Sequence, residues 1–470
     1  MENLRQHLDA IRDAVGPKGV AEAADEIEPF ITETRGLWRG RCELVVSPAS
    51  TGETARVVAI CAEAGLPIVA MGGNTGLVGG GVPDGGIVLS THRMNRIRDI
   101  DPVDNTMTVE AGCILADLQK AAADADRLFP LSLGAEGSCR IGGNLSTNAG
   151  GTQVLRYGNT RDLVLGIEAV LPDGRVYDDL TRLRKDNTGY DLKHLFIGAE
   201  GTLGVITAAV LKLYPRPRRV ETALVGAASP EAVLALFTRA STAMGNMVTG
   251  FEYANAFAMQ TVFDHGHGTS NPLEGTYPAY AIIEVSNLAD DDTARDALEG
   301  VLAEALEDEV IVDAVVAQSE AQAAAIWGLR EAIPETQKFE GASIKHDVSV
   351  PVSRVAEFVR TASSKVEAEM EGLRTCAFGH MGDGNIHFNL SQPIGMDEAE
   401  FLDQWSRFKV IVHDLVAEMD GSFSAEHGVG QLKLDDLAKY KPAVALDLMR
   451  TVKHALDPKG IMNPGKVLPG

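Results

Sequence analysis

The chain has 470 residues, a formal charge of −24, and 45% hydrophobic and 23% charged residues. That length exceeds one small core and predicts two or three packed units of enzyme size. The acid excess leaves no basic stripe to neutralise a nucleic-acid backbone, and any anionic substrate needs locally placed arginine, lysine or metal.

Five cysteines, Cys42, Cys61, Cys113, Cys139 and Cys376, are scattered with no CxxC pair. They read as buried thiols of a reducing compartment and exclude a cysteine-ligated iron–sulfur cluster within this chain. Residues 1–19 contain acids and no apolar core of signal-peptide length, and no apolar run reaches membrane-spanning length. A cytoplasmic location is therefore the expectation.

In chain order, an amphipathic helix is predicted from the start to about Phe30, with Leu4, Leu8, Ile11 and Val15 near helical spacing. A strand over 44–46 precedes a helix over 54–64, with Gly65 as its stop signal. From Pro67 to Ile206, short apolar strands at 67–70, 86–89 and 107–109 alternate with glycine loops and a helix over 115–125. Pro215 and Pro217 then prevent a continuous central strand and mark a boundary. Beyond it, strands at 222–225 and 281–285 with helices at 230–244 and 291–306 predict helices on one face of an antiparallel sheet. Helices over 400–419 and 446–456 complete the chain, and the fold class is α+β.

Gly72, Gly73, Asn74, Thr75, Gly76 and Gly79 form a loop after a short strand. Its amides are unobstructed by side chains, which suits a pyrophosphate. It lacks the lysine of a P-loop and the GxGxxG of a Rossmann turn, and alone it reads equally as a tight turn. A second cluster carries Gly134, Gly137 and Ser138, then Gly142, Gly143, Asn144, Thr147, Asn148 and Gly150; a third carries Gly201, Gly204 and Ile206. Three such loops in one α+β block fit a long dinucleotide that the backbone must approach closely.

These loops, in this order and spacing, resemble the FAD-binding fold of the vanillyl-alcohol oxidase and p-cresol methylhydroxylase superfamily. The segment 183–198, with Lys185-Asp186-Asn187-Thr188-Gly189-Tyr190-Asp191, is similar to the branch that oxidises D-2-hydroxyglutarate, and the similarity runs from about Thr34 to Val467. The resemblance implies a two-subdomain FAD-binding domain of vanillyl-alcohol oxidase type over 1–215. It implies an α+β cap domain (antiparallel sheet plus helices) over 216–420 and a C-terminal helical segment over 421–470 that returns to the flavin. Some relatives attach FAD to a histidine in the first loop, where this chain has Asn74, so non-covalent FAD is expected. Asn463 and Lys466 resemble residues on the flavin side; a structural C-terminal turn is the alternative.

His380 and His387 flank a Gly382-Asp383-Gly384 turn, where a hairpin can bring both imidazoles to one point. Two ligands do not define a metal site. Glu426, followed by His427, is the third candidate, with a surface loop pair as the plain reading. By resemblance, His380, His387 and Glu426 hold a divalent metal, for which the ligand types suit zinc. Also by resemblance, Arg330, Lys345, Asn389 and His427 contact the substrate, and His427 is the catalytic base. The chemistry is coherent: loss of hydride from C2 of a 2-hydroxy acid, passed to flavin N5, is eased when a metal stabilises the alkoxide and an imidazole accepts the hydroxyl proton.

Pro334 departs from the family, which has threonine four residues after the arginine. A hydroxyl contact is lost there, so D-malate, D-lactate and other 2-hydroxy acids stay open as substrates. The resemblance also implies electron-transferring flavoprotein as acceptor, and a homodimer is a further expectation. The rivals are a D-lactate or glycolate dehydrogenase, an oxygen-using oxidase, and a non-catalytic flavin-binding electron-transfer module.

Overall fold

In the computed structural model, which describes residues 2–469, the first helix runs over Glu2–Val15, short of its expected end near Phe30. Gly16 takes a left-handed φ of 67° and Pro17 opens a single 3-10 turn. Proline supplies no amide and disfavours helical backbone in the residue before it, so the apolar pattern cannot continue as one rod. A separate helix, Ala24–Ile31, follows.

Two compact units are formed, one from Met1–Gly151, Gly158–Arg216 and Glu426–Gly470, the other from Thr152–Tyr157 and Pro217–Ala425. In the first, a four-stranded sheet has the order Val20–Ala21, Leu44–Val46, Ile87–Ser90, Ile68–Met71, and its last three strands pair in parallel. Helix Thr51–Ala64 packs on it, starting where the Ser50 hydroxyl accepts the Glu53 amide at 3.2 Å and ending at Gly65 with a left-handed φ of 65°. A five-stranded antiparallel sheet has the order Ile97–Asp101, Thr106–Glu110, Val205–Lys212, Val164–Val170, Val176–Asp179. The C-terminal turn closes on the first sheet: the Ile68 amide donates to the Ile461 carbonyl and the Asn463 amide to the Ile68 carbonyl, each at 2.8 Å.

In the second unit, among the described residues, an eight-stranded antiparallel sheet has the order Asp313–Val316, Arg219–Ala227, Ala279–Asn287, Val248–Asn255, Arg374–His380, Asn385–Ser391, Ser343–Ile344, with Asp347–Ser349 also paired to Asn385–Ser391. One face buries Val225, Phe251, Ile283 and Phe388 under helices that include Pro230–Met244, Thr293–Glu307 and Val355–Glu369. The expectation of helices on one face is corrected, because Leu224, Ala254, Ile282 and Phe378 of the other face pack against Ala256–His265 and Glu320–Thr336. Strands covered on both sides read as nearly continuous apolar runs, which hides the second helical layer from an alternation test. The single helix expected over 400–419 is two, Glu398–Leu402 and Trp405–Glu418, a break that no proline or glycine signals.

Helix Glu320–Thr336 carries Arg330, and its start is capped by Ser319, whose hydroxyl accepts the Gln322 amide at 3.3 Å. Ser319→Ala is expected to cost about 1 kcal/mol and lower the unfolding midpoint of a unit of this size by about 2–4 °C. Differential scanning calorimetry checks this, and an unchanged midpoint would show that the cap contributes nothing.

Candidate active site

The three glycine loops meet at one groove of the first unit. Gly72, Gly73, Asn74, Thr75, Gly76, Gly79, Gly142, Gly143, Asn144, Thr147, Gly201, Gly204 and Ile206 all line it. Gly134, Gly137, Ser138, Asn148, Gly150 and Asn463, expected to contact the cofactor, are not among the residues that line it. Several of these support the lining from behind. A Cβ on Gly73 would lie 2.3 Å from the Ser138 carbonyl oxygen, so these two loops pack backbone against backbone and only glycine fits. Asn148 ends helix Ile141–Thr147 at a φ of 50°, and its Oδ1 accepts the Arg161 amide at 2.9 Å. Asn463 Nδ2 donates to the Gly80 carbonyl at 3.0 Å and the Glu200 carbonyl at 2.8 Å, tying the C-terminal turn to the first and third loops. Lys466 is buried, and that burial lowers its pKa.

The groove suits a polar dinucleotide. A Cβ on Gly76 would meet nothing within 4 Å, and the buried Asn144 Oδ1 has no protein partner. Asn74 adopts a left-handed φ of 53° and donates its side-chain amide to the Pro29 and Thr32 carbonyls at 2.9 and 3.0 Å. It therefore shapes the loop.

Glu33, Arg140 and Glu200 also line the groove, and sequence reasoning passed over them. Glu200 accepts the Val429 and Gly430 amides at 2.7 and 2.8 Å, one on each carboxylate oxygen. Burial raises its pKa, opposed by those amides and by Lys433. It thereby holds the loop that brings His427 into the same groove lining. An acid set between Gly198 and Gly201 was the available signal.

In the second unit, residues directly opposed in an antiparallel pair share a face. The register sets Glu252 opposite His380, Phe378 opposite His387, Cys376 opposite Asn389, and Asp347 opposite His387. Phe378 and His380 lie two residues apart, so Glu252, His380, His387, Asn389 and Asp347 all belong to one face of the sheet. The expected hairpin is present: a 3-10 turn over Met381–Asp383 joins its strands, Gly384 has a φ of 87°, and the two imidazole centroids are 6.0 Å apart.

Arg330 reaches the same face from its helix. Its Nε donates to Glu252 Oε2 at 2.7 Å, His380 Nδ1 lies 2.5 Å from Glu252 Oε1, and the guanidinium carbon sits 4.7 Å from the Phe378 ring centroid. Burial pushes the Glu252 carboxyl up, but the attraction of His380 when protonated and of Arg330, with their hydrogen bonds, prevails and holds its pKa at about 2. Asn389 is buried and donates its amide to Gln337 Oε1 at 3.0 Å. Lys345 is exposed, between the register pairs Ile344 with Leu390 and Asp347 with His387. Pro334 falls inside helix Glu320–Thr336 and cannot return an amide to the Arg330 carbonyl.

Asp347 and His387 offer metal-ligating atoms within 4.8 Å of one another, as do Glu426 and His427 in the first unit. Imidazole nitrogen with carboxylate oxygen is a donor set that suits zinc. Asp347 and Glu252 were both missed from sequence. A lone acid at an alternating position within Phe251-Glu252-Tyr253-Ala254 was the clue to the second.

Comparison with known proteins bears on these observations. A family described as FAD binding domain matches residues 42–179, and one described as FAD linked oxidases, C-terminal domain, matches residues 216–467. The mitochondrial D-2-hydroxyglutarate dehydrogenase of Arabidopsis thaliana is 37% identical over 460 residues, covering 97% of this chain and 80% of its own. Its Bos taurus counterpart is 39% identical over 461 residues, covering 98% and 83%. The D-2-hydroxyglutarate–pyruvate transhydrogenase of Saccharomyces cerevisiae is 33% identical over 458 residues, covering 95% and 91%. Among solved structures, substrate-bound p-cresol methylhydroxylase matches with a TM-score of 0.77 at 16% identity, covering 99% of this chain and 97% of that one, and shows the fold. The expected cytoplasmic location is overturned by the names of the plant, rat and bovine relatives, which are all given as mitochondrial. Among the described residues, no helix is long and apolar enough to cross a membrane. The chain belongs to the D-2-hydroxyglutarate dehydrogenase family of FAD-dependent oxidoreductases, within the FAD-linked oxidases.

Proposed function

We propose that this enzyme oxidises D-2-hydroxyglutarate, or a close D-2-hydroxy diacid such as D-malate, to the 2-oxo acid with the help of a divalent metal. The observation that carries the reading is the single sheet face gathering a buried arginine, two imidazoles and a side-chain amide. In a chain of charge −24, Arg330 and Lys345 supply the local positive groups that a diacid needs. Arginine offers a carboxylate two parallel hydrogen bonds, and lysine offers a movable point charge. Asn389 adds a neutral donor.

His380, His387 and Glu426 are the proposed metal ligands, and zinc is the proposed metal. The metal, once bound, would supply Lewis acidity toward the C2 hydroxyl, and FAD, held non-covalently by the glycine loops, would supply the two-electron acceptor for the C2 hydrogen. His427 accepts the hydroxyl proton, so one hydride equivalent and one proton leave the substrate and no water is consumed. Electron-transferring flavoprotein is the proposed acceptor. The name of the yeast relative supplies the rival acceptor, pyruvate.

Three measurements test this reading. Under anaerobic conditions D-2-hydroxyglutarate should bleach the flavin with a kcat/KM at least about tenfold above that of D-lactate, since a second charged contact is worth about that much. Equal or reversed values would make a monocarboxylate the substrate. Removing the metal with a chelator should slow flavin reduction about 100-fold while FAD stays bound, because none of the proposed ligands belongs to a glycine loop. An undiminished rate in metal-free enzyme would sink the metal role. Arg330→Lys, which keeps the charge but loses the fork, should raise KM about tenfold with kcat nearly unchanged. A wild-type KM for every acid tested would remove Arg330 from the substrate site.

A further inference from the structure

One buried carboxylate underlies both the metal-binding and the anion-binding parts of the proposed site. The Glu252 side chain is 2% exposed, and its two oxygens take different partners: His380 Nδ1 at 2.5 Å and Arg330 Nε at 2.7 Å. These groups arrive from three elements, the strands Val248–Asn255 and Arg374–His380 and the helix Glu320–Thr336. Resting on the metal and diacid reading above, we propose that Glu252 is a positioning residue that sets the coordinating nitrogen of His380 and the hydrogen-bonding fork of Arg330 together.

The chemistry of each partner supports this. An imidazole has two inequivalent nitrogens, and a carboxylate can only accept. Pairing Nδ1–H with Glu252 selects one tautomer and makes Nε2 the nitrogen that coordinates a metal. A guanidinium carries five N–H groups in a fixed plane. Committing the Nε–H to Glu252, with the carbon 4.7 Å from the Phe378 ring centroid, fixes that plane and aims the two NH2 groups.

A purely structural staple would not require charge, because well-packed apolar side chains of similar volume hold buried elements at least as well as an ion pair. The same sheet face provides a control. Glu284 is half-buried on the neighbouring strand, but accepts from Thr249 Oγ1 at 2.7 Å and Trp327 Nε1 at 3.0 Å and bonds neither His380 nor Arg330.

The test uses the FAD-loaded protein. Glu252→Gln keeps the volume, but its NH2 end must oppose an N–H of His380 or Arg330. Zinc affinity, read by competition with a fluorescent chelator, should fall about 10- to 100-fold. KM for D-2-hydroxyglutarate should rise about tenfold, with FAD stoichiometry and far-ultraviolet dichroism unchanged. Glu252→Asp, which restores the charge, should recover part of both losses, and Glu284→Gln should move neither. Wild-type zinc affinity and KM in folded Glu252→Gln would overturn the proposal, as would equal losses in Glu284→Gln.

If Glu252→Gln does not fold, the wild-type protein answers instead. Imidazole nitrogen NMR, with His380 assigned by its absence in His380→Gln, should show a protonated Nδ1, and a protonated Nε2 with bare Nδ1 would overturn the assignment. Failure of the underlying reading would look different: the wild type would hold no zinc and D-2-hydroxyglutarate would not bleach it, while the tautomer of His380 stayed as stated.

Discussion

Burying a charge costs several kcal/mol unless partners compensate it, and the second unit meets that requirement at Glu252. The acid lies on a face that its neighbours Ala254, Ile282 and Phe378 make apolar, under a helix that excludes water from it. Only a cation or a donor can neutralise it there, so the positions across from it and above it are constrained to types such as His380 and Arg330. Once those are set, the alternation of the hairpin puts His387 and Asn389 on the same face without further instruction. Gly379 follows from the same constraint: its φ is 148°, and a Cβ there would lie 2.6 Å from the Asn385 carbonyl oxygen across the hairpin. A side chain at that position would part the strands that align the two imidazoles.

The first unit uses a carboxylate in a parallel way. Glu200 takes two main-chain amides of the 429–430 loop, one on each oxygen, and the left-handed φ of 50° at Glu200 lets the turn present them. Gly428 must be glycine for the same reason, since a Cβ there would lie 2.6 Å from Glu200 Oε1. The loop carrying His427 is thus shaped by an acid far away in sequence and shares the glycine-lined groove.

What was legible from the residues alone follows from how local each determinant is. The loops at 72–79, 141–147 and 201–206 and the hairpin at 374–391 declare themselves through glycine, turn residues and paired histidines within a few positions. The end of the first helix is equally local: Gly16-Pro17 signals it against the apolar spacing. Gly134 and Gly137 mark the limit of that signal: a Cβ at either would meet nothing within 4 Å, so a glycine in a cluster does not by itself report a close approach. Glu252 and Asp347 were illegible because their meaning depends on register. Glu252 and His380 are 128 residues apart in sequence, and only the pairing of their strands makes one the partner of the other.

Pro334 shows how a single departure redistributes the demands on a site. One helical turn beyond Arg330, it offers no hydroxyl where the resemblance implies a threonine, and no amide to return to the Arg330 carbonyl. The next polar side chain suited to the task, Gln337, is already engaged: its Oε1 accepts from Asn389 and its Nε2 donates to Ser391 Oγ at 3.0 Å. The helix therefore contributes a rigid grip at Arg330 and little beyond it. Under the proposed reading, the far carboxylate of a diacid depends on Lys345, which is exposed and carries its charge on a flexible stem. A rigid fork at one end and a movable point charge at the other discriminate strongly for a second carboxylate and weakly for the length of chain between the two.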